Sequence, residues 1–175
     1  NLCITLKGII PDLRGLTSSY NINPTSTVAG CTPVYVEPND PTGTSTGLVV
    51  DDTYSSVINI GFPFPFFGTI YNSLIASTNG LVSFDISKAG GFAHFSVPGD
   101  LVPGNSYDRA IIMAPFHDID ISRPTSPNRL IKYELVGQAP HRKFVVSYYK
   151  VPCFECDDKI NNTYQVSLYE GLGLV

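Results

Sequence analysis

Apolar and non-core residues alternate without a break from Ile58 to Phe66: Ile58, Ile60, Phe62, Phe64 and Phe66 take every second position, and Asn59, Gly61, Pro63 and Pro65 stand between them. A two-residue period puts the apolar set on one face of a strand that lines a core. Proline cannot donate to a sheet ladder, so Pro63 and Pro65 place this strand at an edge or in a non-bonded stretch. A second strand is expected to follow and to turn at Asn79-Gly80, a pair that tolerates the positive φ angles of a tight hairpin. The runs AIIMAPF, RLIKYELV, KFVVSYY and NTYQVSLYE are strand-like as well. In the second of these, Ile131, Tyr133 and Leu135 are expected to face inward, and Lys132 and Glu134 to face water. In the last, the inward set is Tyr164, Val166 and Leu168.

Turn clusters such as SKAGGF, VPGDLVPGNSYDR and SRPTSPN separate these runs, and no apolar 3.6-residue period persists for three turns. The pattern predicts an all-β fold, an antiparallel β-sandwich with little helix. Residues 1–50 read differently. After a strand-like Leu2–Ile10 they string together Pro, Gly, Ser, Thr and Asn, which predicts an irregular arm packed on a sandwich spanning 51–175. Leu13, Val34 and Val36 are its candidate anchors. Leu172-Gly173-Leu174-Val175 reads as the start of a further strand, so the sandwich is expected to be incomplete at its C-terminal end. Asn1 follows no basic leader, as in a mature form or an internal fragment.

Composition narrows the partners more than the chemistry. With 43% hydrophobic residues among 175, the chain can bury a core. A net charge of −4 with no stripe of Lys or Arg argues against nucleic acid and anionic membrane as main partners. No apolar run approaches the ~20 residues of a membrane-spanning helix, so no transmembrane segment is expected. The four cysteines can pair in three ways. The expected pairing is Cys3–Cys31, closing a loop worth roughly 3–4 kcal/mol, together with Cys153–Cys156. For the CxxC of Cys153 and Cys156, inert thiols, a metal half-site and a redox pair are the alternatives, but the βαβ setting of a thioredoxin-like site is missing.

The strings DDTYSSVINIGFPFPFFGTIYNSLIASTNGLVSFD, RAIIMAPFHDIDIS, RLIKYELVGQAPHRKFVVSYYKVPCF and NTYQVSLYEG resemble the module at the front of large gliding-motility-type adhesins, which the type IX secretion system of the Bacteroidota exports. They are also distantly similar to the nidogen-like extracellular domain, through the STNG-x-x-SF and APF-x-D-x-D signatures. His117 stands where the family often has Trp. The resemblance implies a non-enzymatic, extracellular, cell-surface adhesin module serving attachment or gliding. Its partners would be surface glycans or other extracellular macromolecules, and the secretion machinery during export.

Asp118 and Asp120 form the most suggestive polar group. Alternation puts both carboxylates on one face of a strand end, where they could hold Ca²⁺ with further oxygens. The competing reading is that they accept backbone N–H groups in a corner. Asp51-Asp52 and Asp157-Asp158 read as solvated turn residues. His94, His117 and His141 lack the spacing of a zinc site, and Ser77 and Ser83 lack a nucleophile elbow. No catalytic residue and no obligatory cofactor is expected, with calcium the single candidate. Tyr71, Tyr107, Tyr148 and Tyr149 could serve as exposed sugar-stacking rings, but they are expected rather to fill the faces of the sandwich. The second functional reading is therefore a carbohydrate-binding or calcium-dependent recognition module of a larger secreted protein.

Overall fold

In the computed structural model, residues 36–39, 42–95, 107, 109–113, 115–156 and 160–175 are described. Among these residues, eight strands form two antiparallel four-stranded sheets, as the alternation predicts. One sheet contains β1 (Thr44–Ser45), β6 (Leu130–Val136), β7 (Lys143–Pro152) and β8 (Asn161–Tyr169), in that spatial order. The other runs β2 (Ile58–Phe66), β3 (Thr69–Ala76), β4 (Leu81–Ser83) and β5 (Ile111–Met113). A short 3-10 turn, Ile86–Lys88, is the helical element among the described residues, capped by the Asp85 carboxylate on the Ser87 N–H.

The alternating residues of β2 do what their period requires. Ile58, Ile60, Phe62 and Phe64 are buried and meet Leu74, Ala76 and Val82 of their own sheet and Ile131, Phe144, Val146, Tyr148, Val166 and Leu168 of the other. Each buried side chain of this kind contributes about 1.5–3 kcal/mol, so this inter-sheet layer dominates the stability. The odd and even positions of β3 and β4 separate cleanly. Ile75 and Leu81 point away from the main core into a smaller cluster with Tyr54 and Ala93, so this part of the sheet is covered on both faces.

β2 lies at the outside of its sheet, and its register to β3 shifts between Asn59 and Phe64 around Gly61. Gly61 has φ 87°, and a Cβ there would meet the Leu135 side chain at 2.6 Å. Pro63 falls in the shifted stretch, and Pro65 stands opposite Ile70. The edge placement expected of the prolines is observed.

The expectation for Lys132 needs correction. Lys132 does not face water: it is 1% exposed and pairs with Glu134 at 3.0 Å. The chain at 42–46 runs along the edge beside it, and Lys132 shares its face with Ser147 and Gln165, which the segment at Val36 meets. Thr42 donates to Glu134, β1 pairs with β6, and the Thr46 hydroxyl donates to the Ile131 carbonyl. Tyr148 fills the core, as the favoured reading of the tyrosines has it, and is fully buried. Its hydroxyl crosses to the opposite sheet and donates to the Ser77 carbonyl at 2.9 Å. Val36 is buried, and its carbonyl accepts from the Gln165 amide at 2.9 Å. Leu13, Val34, Cys3 and Cys31 lie outside the described residues.

No disulfide joins Cys153 to Cys156, contrary to the expected pairing. The Cys156 N–H donates to the Cys153 carbonyl in a turn where Glu155 takes φ 55°. Asn162 Nδ2 instead donates to Cys153 Sγ at 3.3 Å, so that thiol is turned toward β8.

Candidate functional site: an acidic corner

Three loops converge beyond the Pro152–Asn161 end of the β7–β8 pair. The first carries Asp51 and Asp52 into Thr53 and Tyr54. Asp52 adopts φ 52°, a left-handed conformation that Asp tolerates better than most residues. It is fixed there by its N–H to Asp51 Oδ1 at 2.9 Å and by its carbonyl, which accepts from Ala93 N at 2.8 Å. The second loop is the Thr78-Asn79-Gly80 turn between β3 and β4. Gly80 has φ 77°, and a Cβ would lie 2.2 Å from the Pro115 carbonyl, so no other residue fits.

The third loop brings in His117–Ile121. Ile119 bridges to Cys153, Phe154 N donates to the Asp118 carbonyl at 3.1 Å, and Asp120 N donates to the Pro152 carbonyl at 2.8 Å. Asn79, fully buried, joins all three. Its Nδ2 donates to Asp52 Oδ1 at 2.8 Å and to the Ala93 carbonyl at 3.4 Å, and its Oδ1 accepts from Ile119 N at 3.2 Å.

The outcome is a group of three carboxylates from Asp51, Asp52 and Asp118, each half-buried, that offer oxygens within 4.8 Å of one another. Asp51 and Asp52 are thus not simply solvated turn residues. Asp120 plays a different part from its expected partner Asp118. It is 3% exposed and accepts from Ser122 N at 2.8 Å, Ser122 Oγ at 2.5 Å and Arg123 Nε at 2.7 Å. Its oxygens are engaged with their own loop, whereas Asp118 is free to face the first loop. Asp157 and Asp158 lie outside the described residues.

Crowding shows in the protonation equilibria. Burial, then the charges of Asp120, Asp52 and Asp118, push the Asp51 carboxyl up to about 6. Burial and the charges of Asp52, Asp120 and Glu155 also raise Asp118, and His117 opposes the shift. Like charges held together in a partly desolvated place resist ionisation. The corner is built to attract a cation or a proton. His117 is held beside it by Nε2 to Asn162 Oδ1 at 2.9 Å.

Sequence reasoning placed Asp118 but missed Asp51, Asp52 and Asn79 as its neighbours. The one available signal was Asn79, whose place in a tight turn explained it without any side-chain role. Tyr71, Tyr107 and Tyr149 are half-exposed and scattered over different elements, and Tyr148 is in the core.

The protein is thus an antiparallel sandwich with a cluster of three carboxylates beyond one end of its β7–β8 pair. The model of the nidogen-related (NIDO-related) family matches residues 26–175, and the chain belongs to that family. The family is extracellular in kind and non-catalytic. No curated protein and no solved structure matches the chain. Among the described residues no helix is long and apolar enough to cross a membrane.

Proposed function

We propose that the chain is a non-enzymatic adhesin module of a secreted bacterial protein, displayed at the cell surface for attachment or gliding. Membership of the nidogen-related family over residues 26–175 carries this reading. The sequence resemblance to type IX secretion substrates supplies its finer part. The partners are surface glycans or other extracellular macromolecules. The test is protease shaving and fractionation of intact cells with and without the secretion system. The reading expects a surface-accessible protein that disappears from the surface, and impaired attachment, when secretion is disabled. Retention in the cytoplasm of secretion-competent cells would falsify it.

The acidic corner favours a second reading, calcium-dependent recognition. Asp51, Asp52 and Asp118 would each supply an oxygen, and carbonyls and water would complete the six to eight that Ca²⁺ takes. Extracellular modules bind calcium in the 10⁻⁴–10⁻³ M range, so a titration by calorimetry should show a site of that affinity. It should be lost in Asp52→Asn. Glycan-array binding abolished by chelation would join the two readings. A flat titration and a flat array would dismiss the second.

A further inference from the structure

The β2–β3 hairpin ends in the two-residue turn Phe67–Gly68, with Phe66 and Thr69 paired across it. Phe67 has φ 45° and Gly68 φ 81°. This is the left-handed pair of a type I′ turn, whose first position favours Asn, Asp or Gly. A bulky aromatic there is strained, and the core gains nothing from it. The Phe67 ring is 95% exposed and meets protein at the edge of Phe66, centroids 4.8 Å apart. Ile70, across from Pro65, is 66% exposed. The tip is therefore a protruding apolar wedge kept against local backbone preference.

Its surroundings decide what it meets. From Thr53 to Phe84 the sequence contains no Asp, Glu, Lys, Arg or His. An apolar anchor in a protein interface normally sits within a polar rim that supplies specificity. The tip itself offers only the polar side chain of Thr69 between Pro63 and Ile70. The charged Asp85 and Lys88 lie behind it, after Phe84, which packs on Phe66 and Tyr71. A stable protein interface also needs about 800 Å² from each partner, far more than two side chains at a hairpin tip provide. An uncharged tip can, however, enter a low-dielectric medium without stripping water from a charge. The chain's net charge of −4 and lack of a basic stripe remove the usual attraction to anionic lipid.

We propose that the Phe67–Gly68 tip inserts Phe67 and Ile70 into the acyl boundary of a zwitterionic lipid surface. The turn stays closed by its own Phe66–Thr69 pairing, so insertion is shallow and leaves the sandwich in water.

The chain has no Trp, so Phe67→Trp in the whole chain makes a single reporter at the tip. With phosphatidylcholine vesicles its emission should shift to the blue, saturate with lipid and resist added salt. In co-sedimentation with the same vesicles, Phe67→Asn should bind roughly ten- to hundredfold more weakly than the unaltered chain, the effect of withholding one large apolar side chain. Asn suits the turn, so this variant should melt no lower than the parent, which separates lost binding from lost folding. The proposal is overturned by emission that stays water-like with vesicles, by Phe67→Asn binding as the parent does, or by uptake that needs anionic lipid and fades with salt. It is equally overturned by a blue shift that grows with protein concentration without lipid, which would assign the tip to a second copy of the chain.

Discussion

Arg142 and Glu170 meet at the Lys143–Tyr169 end of the β7–β8 pair, whereas Asp51, Asp52 and Asp118 crowd together beyond its other end. At the first place every charge has a partner. Glu170 accepts from Arg142 N at 3.0 Å, Nε at 2.7 Å and Nη2 at 2.5 Å, while Nη1 reaches the Gly61 carbonyl of the opposite sheet at 2.9 Å. The guanidinium also lies over the Phe62 ring. Hydrogen bonds from Arg142 hold the Glu170 carboxyl below its ordinary range. At the second place like charges face each other, and the carboxyls of Asp51 and Asp118 are pushed up instead. One cluster ties the two sheets together. The other is frustrated, and a fold keeps such frustration where a site needs it.

Asn79 is the point at which the comparison breaks most severely. Asn79→Ala should cost about 2–4 kcal/mol in chemical denaturation, since it leaves the buried Ile119 N–H unpaired and releases Asp52. A loss below about 1 kcal/mol would show that the three loops hold each other without it. Next in size is the lock: Glu170→Ala should lower the melting temperature by roughly 3–6 °C. Because the folded-state pKa of Glu170 is depressed, its contribution is present at neutral pH and fades as acid protonates the carboxyl, so wild type and variant should converge at low pH.

Asp51 carries the opposite sign. Its folded pKa of about 6 exceeds the ordinary carboxylate value of 3.8. The folded chain therefore binds the extra proton between those values, and stability falls as pH rises through that window. Asp51→Asn should stabilise the protein by about 1 kcal/mol at neutral pH, allowing for solvent screening of a half-exposed group, and by nothing near pH 4. A variant no more stable than wild type at neutral pH would mean that the crowding costs nothing. The smallest effect concerns calcium: millimolar Ca²⁺ should raise the melting temperature of wild type by a few degrees and leave Asp51→Asn unmoved. An equal rise in both would place any binding elsewhere.

The contrast also explains what was legible in the chain. The period of two in Ile58–Phe66 is a local property that fixes strand and inward face together, and the structure follows it. Lys132 obeys the same alternation, but distant segments enclose it, β1 along the edge of β6 and Val36 against the Ser147–Gln165 row that shares its face. The acidic corner likewise depends on contacts between segments far apart in the chain. Asn79 binds Asp52 across 27 positions and Ile119 across 40, distances over which residue spacing carries no signal. Asp118 could be singled out because its spacing from Asp120 is a local property of the sequence. Its grouping with Asp51 and Asp52 required the sheets to be assembled first, and the diversion of Asp120 to Ser122 and Arg123 required the loop after it.

The prolines of β2 have a further consequence for a protein at high local density. Alternating, uncharged and aromatic, Ile58–Phe66 has the makings of a fibril-forming segment, and it lies on the outermost strand of its sheet. Pro63 and Pro65 lack the amide hydrogens with which an incoming copy would continue the hydrogen-bond ladder. The same residues that leave the inward-facing set of side chains intact thus deny polymerisation a template, and molecules could be packed side by side without their sheets fusing.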